Sequence, residues 1–336
     1  MQEKLTLSIY GMQVVVDVDN DQVRRNIEKD FDHFIKNVNY FHKLYVKTMR
    51  KESLREVIPH GLVATKQSER AITYESKGIR YNDFYGEAIS VINYKEDDIS
   101  LYYKNEKILY ETLYLLILSR SGKFMDRKGF HKLHACGVSM GNKNLLFMMP
   151  SKGGKTSTFL NLIRDKSVNI ISDDTPVIDR MGKVHAFPLR IGLESKKEII
   201  NNFPYIKDED VYEFERKYYS QKYLLNVTKL KNGVFTGNKN YLVAGFRSTN
   251  TEPYLLKVNK LIMLGQLKKH MIVGVGLPMI LEYFLEGTLR DHIVNVKILA
   301  SRAIAATRLI LKSDCYFFYT SKNISKNAKV LKGLIE

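Results

Sequence analysis

Only two cysteines, Cys136 and Cys315, occur in 336 residues. So few exclude a disulfide framework, and both sit in apolar segments, so a reducing, cytoplasmic setting is expected. No cysteine–histidine pair has zinc-finger spacing. The opening residues, MQEKLTLSIYGMQVVV, lack the basic stretch, apolar core and small-residue cleavage site of a secretory signal. Long apolar runs are scarce as well. The longest, MIVGVGLPMILEYFL at 271–285, is broken by Pro278 and Glu282 and falls short of the about 20 residues of a membrane span, so none is expected. No internal repeat or low-complexity tract stands out.

Acidic residues are in deficit, 36 against 53 lysines and arginines, which leaves a net charge of +17. Such a field attracts phosphate-rich or acidic partners and makes binding salt-sensitive. The basic residues are spread along the chain rather than gathered into one arm, as on any lysine-rich solvated surface, so no specific nucleic-acid partner is expected. What is present is globular: 44% hydrophobic and 26% charged residues supply one large or two ordinary domains.

Residues 4–18 carry β-branched and aromatic residues on both sides of Gly11 and predict two strands and a turn. DQVRRNIEKDFDHFIKNV follows with Val23, Ile27, Phe31, Phe34 and Ile35 at helical spacing. Residues 71–105 return to strand alternation, and 106–119 predict a buried helix ending near Ser121 and Gly122. A boundary near 120 therefore separates a small α+β module, 1–120, suited to substrate or peptide recognition, from a second domain, 121–336. The latter begins with the short apolar runs HKLHACGVSMG, NLLFMM, VNIIS and PVIDR. Further on, KDEDVYEFERKYYSQKY reads as helical and NKLIMLG as a strand. A helix at 293–311 places Ile293, Leu299, Ala303 and Ile310 on one side; the strand CYFFYT and a closing amphipathic helix complete the chain.

Between NLLFMM and TSTFLNLIRD lies MPSKGGKTST, a phosphate-loop pattern with Met149 at the position usually held by glycine. The setting is the required one, a strand before and a helix after. The loop residues Ser151, Lys152, Gly153, Gly154, Lys155, Thr156 and Ser157 are the candidate nucleotide contacts. Gly153 and Gly154 allow close backbone approach, Lys155 reaches the β- and γ-phosphates, and Thr156 offers its hydroxyl to Mg²⁺. Pro150 already holds Met149 extended, so a non-glycine with negative φ is tolerable there. VNIIS then ends in Asp173 and Asp174, carboxylates placed to hold Mg²⁺ or accept a proton. Upstream, His134 precedes Met149 by fifteen residues.

A histidine, a strand, PSKGGKT, a helix and IISDD in this order resemble the catalytic domain of bacterial HPr kinase/phosphorylase and related kinases, over roughly residues 128–195. The resemblance implies an α/β fold of the phosphate-loop kinase type and transfer of the γ-phosphoryl group of ATP to a serine hydroxyl. It implies that Gly153, Gly154, Lys155 and Thr156 bind ATP and Mg²⁺. Asp173 and Asp174 would bind metal and take the serine proton, and His134 would support them near the phosphates. FPLRIGLES at 187–195 departs from the family's glycine-rich phosphorylase signature, so phosphorolysis is not expected; Arg190, Glu194 and Arg247 are further candidates for phosphate or metal. The N-terminal module is similar to that of kinases from peptide-biosynthesis clusters, including those acting on a lasso-peptide precursor. A peptide or protein bearing a serine is thus the expected partner, with homo-oligomerisation left open. A small-molecule hydroxyl kinase and a non-catalytic nucleotide-binding regulator are the alternatives.

Overall fold

In a computed structural model the chain is described over residues 4–36, 39–150, 153–216, 219–277 and 289–336. It divides into two compact units, Met1–Ser121 with Tyr212–Tyr223, and Gly122–Val211 with Leu224–Glu336. The first unit is built on an eight-stranded sheet. Its strands are β1 (Leu5–Ile9), β2 (Met12–Asp17), β3 (His42–Arg50), β4 (Ala64–Gln67), β5 (Ile72–Ser76), β6 (Ile79–Asp83), β7 (Ala88–Asn93) and β8 (Asp98–Tyr103), in the order β1-β2-β3-β8-β7-β6-β5-β4. Between β2 and β3 runs α1 (Asp21–Asp30), shorter than its apolar periodicity. Asn20 caps it by accepting the Val23 N–H, and a 3₁₀ turn at Asp32–Phe34 follows. α2 (Glu106–Lys128) continues through Gly122 instead of ending there; one glycine costs a helix only about 1 kcal/mol, less than the burial of Leu113, Ile117 and Met125 returns.

The second unit opens with β9 (Phe130–Lys132), β10 (Cys136–Met140) and β11 (Lys143–Met148). α3 (Lys155–Leu162), β12 (Asn169–Ser172), β13 (Val177–Asp179), β14 (Val184–His185), β15 (Ile191–Leu193) and α4 (Lys196–Asn202) follow. The stretch expected to be helical after residue 207 is two strands, β16 (Val211–Arg216) and β17 (Tyr219–Leu225), most of which belongs to the first unit. Alternation decides it: Tyr212 and Phe214 are buried while Glu213 and Glu215 are exposed, a period of two. Tyr212 donates its hydroxyl to Asp30, as does Tyr110, whose ring meets Phe214 edge-on.

The chain returns to the second unit with β18 (Lys239–Phe246), β19 (Tyr254–Lys257), α5 (Lys260–Leu267), α6 (Leu289–Leu311), β20 (Ser313–Tyr319) and α7 (Ile324–Lys332). NKLIMLG, read as a strand, forms α5. The Asn259 side chain caps it by accepting the Leu261 N–H, and Met263 and Leu267, one turn apart, are both buried. A six-stranded mixed sheet, β12-β10-β11-β18-β20-β19, carries the unit. Its central strands are apolar on both faces, which explains continuous runs such as NLLFMM. Leu146, Met148, Ile171, Leu242 and Ala244 form one core with Met263, Leu267, Ala305 and Leu309 of α5 and α6. The architecture is mixed α/β. Among the described residues no helix is long and apolar enough to cross a membrane, and both cysteines are free and buried.

Candidate functional site

β10 runs antiparallel to both β11 and β12. β11 and β12 are therefore parallel, and their carboxyl ends reach the sheet edge at which β10 begins. β18 runs parallel to β11, with Met148 beside Ala244. The loop after Met148, the aspartates after Ser172 and His134, two residues before β10, consequently meet at one edge. In α/β sheets ligands bind outside the carboxyl ends of parallel strands.

At the loop, Gly154 starts α3 with φ +95°, a left-handed conformation that L side chains rarely adopt. Gly153 is required for a different reason: a Cβ there would stand 2.6 Å from Met149 Cγ and 2.8 Å from the Pro150 oxygen. Met149 is 1% exposed and is not among the positive-φ residues. It fills the space beneath Gly153, so a buried thioether occupies the place of the usual glycine without backbone strain. Ser151 and Lys152 lie outside the described residues.

The two aspartates are separated in role by their neighbours. Thr156 donates its hydroxyl to Asp173 Oδ2 at 3.3 Å. Asp174 pairs through Oδ1 with the Lys155 ammonium and lies 3.3 Å from His134 Nε2. Burial opposes charge on Asp174, but the Lys155 ammonium and His134 outweigh it and hold the carboxyl well below the usual carboxylate range. Its side chain still keeps 48% of its surface open. Ser157 reaches Glu198 Oε1 at 3.4 Å. Among the described residues no group of three or more His, Cys, Asp or Glu side chains is arranged to hold a metal. The Thr156 and Asp173 oxygens fit Mg²⁺, which typically takes one or two protein oxygens and completes its octahedron with phosphate and water.

His134 is fixed by a segment the sequence reading treated only as an interrupted apolar run. Its backbone N–H donates to the His270 oxygen at 2.9 Å, and its Nδ1–H donates to the Val275 oxygen at 2.8 Å, leaving Nε2 toward Asp174. Gly276 packs so close that a Cβ would lie 2.5 Å from the His134 ring. The segment contains a π-helical turn, Lys268–Val273, a distortion frequent at functional sites. His270 is buried against His134, ring centroids 5.7 Å apart. Burial first, then the proximity of His134, Lys269 and Lys155, push its imidazole down to about 4. The signal that could have revealed this segment is Gly274 and Gly276, two glycines in an apolar run.

Arg302 anchors the turn from behind, donating Nη1 to the Ile272 oxygen at 3.1 Å and clamping Asp126 at 2.5 and 3.1 Å. His131 donates Nδ1–H to the same carboxylate at 2.7 Å, and its Nε2 meets Ser301 Oγ at 2.9 Å. The Asp126–His131–Ser301 spacing is that of a hydrolytic triad. Arg302, however, neutralises Asp126, and Arg180 donates to the Ser301 hydroxyl at 3.2 Å, so the cluster works as a clamp rather than an activated nucleophile.

A second residue missed in the sequence is Lys132. It is fully buried, with Nζ 4.4 Å over the Phe187 ring. Burial pushes its ammonium down to about 8 against the opposing pull of Asp126 and Asp174. The available signal was a lysine two residues from His134 within an apolar run. Of the remaining candidates, Arg247 is exposed just beyond β18, at the same sheet edge; Glu194 is exposed and Arg190 half-buried. No protein-family model matches the chain, and comparison with curated proteins gives no match.

Proposed function

We propose that the second unit is a phosphate-loop kinase of the HPr-kinase-like type. It would transfer the γ-phosphoryl group of ATP to a serine hydroxyl of a peptide or protein. The observation that carries this reading is the convergence, on one sheet edge, of a glycine loop opening α3, the Thr156–Asp173 oxygen pair and the Lys155–Asp174–His134 cluster. The N–H groups of the first turn of α3 and Lys155 would bind phosphate oxygens. Mg²⁺, when bound at Thr156 and Asp173, supplies charge neutralisation to the phosphates.

On entry of the β- and γ-phosphates, Lys155 would leave Asp174 for them. Asp174, still aimed by His134, is then free to accept the hydrogen bond of the serine hydroxyl. A bond forms from the serine oxygen to the γ-phosphorus while the β,γ-bridging bond breaks, and the serine proton passes to Asp174 or to water. A carboxylate of depressed pKa is a weak base, which suffices because the proton moves late in a loose phosphoryl transfer. The test uses the purified chain with γ-labelled ATP, Mg²⁺ and serine-bearing peptides. Label should appear on serine, and Lys155→Ala or Asp173→Asn should reduce its rate by about 100-fold or more. ATP binding that Lys155→Ala leaves unchanged would overturn the assignment; binding without transfer to any acceptor would favour the nucleotide-binding regulator.

A further inference from the structure

The buried side of α6 is Ile298, Arg302, Ala305, Ala306, Leu309 and Ile310. This corrects the apolar side expected from the sequence, since Ile293 and Leu299 face solvent. Opposite the buried side, Ile293, Lys297, Ala300, Ile304, Thr307 and Leu311 are all exposed and follow one another at intervals of four, three, four, three and four residues. That is the seam spacing of packed helices, not the scatter of isolated surface aliphatics. Ile293, Ile304 and Leu311 leave 51%, 50% and 63% of their surface in solvent.

We propose that this face is a two-fold interface between copies of the chain, formed by antiparallel pairing of α6 with α6. The seam is self-complementary about Arg302. Antiparallel pairing sets Ile293 against Leu311, the small Ala300 against the large Ile304, and Lys297 against Thr307, each twice, as an isologous contact requires. The polar members do not oppose it. Thr307 spends its hydroxyl on the Ala303 oxygen at 2.9 Å and presents its methyl. Lys297 can lay its stem along the seam with its ammonium at the rim. Arg308, which would otherwise approach Lys297 of the partner, is turned away by donating to the Arg180 oxygen at 2.9 Å. Ile293 to Leu311 spans about 27 Å. With Val296 at the flank, the face covers on the order of 500 Å² per copy, or about 1,000 Å² in total, the lower bound of a specific interface. A dimer dissociating in the micromolar range is the consequence.

Light scattering coupled to size-exclusion chromatography, from 1 to 200 µM, should show a dimer that dissociates on dilution. Ile304→Glu should be monomeric throughout with unchanged circular dichroism, and Thr307→Arg should weaken the dimer at least tenfold. Oxidation of the Ala300→Cys/Ile304→Cys variant should cross-link two chains; the native cysteines, being buried, do not compete. A chain that is monomeric at 200 µM, a dimer indifferent to Ile304→Glu, or a failure to cross-link would each overturn the proposal. Because the readout is mass rather than phosphoryl transfer, it stands or falls independently of the kinase reading.

Discussion

At the scale of the residue, the site depends on a few positions whose backbone conformation or surroundings restrict the side chain. Gly154 holds φ +95°, so Gly154→Ala should cost about 1–2 kcal/mol of stability and, on the proposed kinase reading, weaken ATP binding at least tenfold, read together by chemical denaturation and calorimetric titration. Lys132 is the opposite case, a charge kept where burial penalises it. Its ammonium, pushed down to about 8, stays charged at pH 7 in the folded and unfolded chain, and the depressed folded value destabilises the fold there. The loss is relieved as pH rises from about 8 to about 10.5, where the unfolded chain binds the additional proton. Lys132→Met should therefore raise stability at pH 7 by about 2 kcal/mol, measured by urea unfolding. The strand before Gly153 and the helix after Gly154 were legible because motif and flanking apolar runs are contiguous. Lys132 was not, because nothing local shows that its ammonium lies over the Phe187 ring.

At the scale of the element, the π-helical turn Lys268–Val273 links Arg302 behind it to His134 in front. His270 makes that turn pH-sensitive. Its folded pKa, about 4, lies below the ordinary 6.5, so its contribution is intact above pH 6.5 and is lost as pH falls toward 4. Between pH 7 and pH 5 the wild type should lose about 2 kcal/mol more than His270→Phe, which keeps the burial without the titration; thermal or urea melts at the two values decide it. Strands β10, β11, β12 and β20 were legible as short apolar runs, and α7 by its amphipathic spacing. The β16–β17 stretch and α5 were misread for separable reasons. Lysines and tyrosines masked a period of two in the first, and a run of aliphatic residues hid the Asn259 cap in the second.

At the scale of the whole molecule, the net charge of +17 acts at long range and should dominate weak binding to any polyanion. Heparin or random-sequence DNA should bind with an affinity falling steeply as salt rises from 50 to 200 mM, and Lys155→Ala should leave that slope unchanged. A slope that drops with Lys155→Ala would mean the loop itself is the polyanion site. The sequence by itself determined the strand–loop–helix order around Gly153 and Gly154, the acidic pair that follows it and the absence of a disulfide framework, because each depends on neighbours in the chain or on composition. Only the tertiary structure decided that Asp173 faces Thr156 while Asp174 faces Lys155 and His134. Only it showed that residues 268–277 clasp His134 and that α6 turns one apolar row outward. Those depend on strand order and helix rotation, fixed by packing between segments from 17 residues apart, as for Thr156 and Asp173, to 141 apart, as for His134 and Val275, which no local pattern encodes.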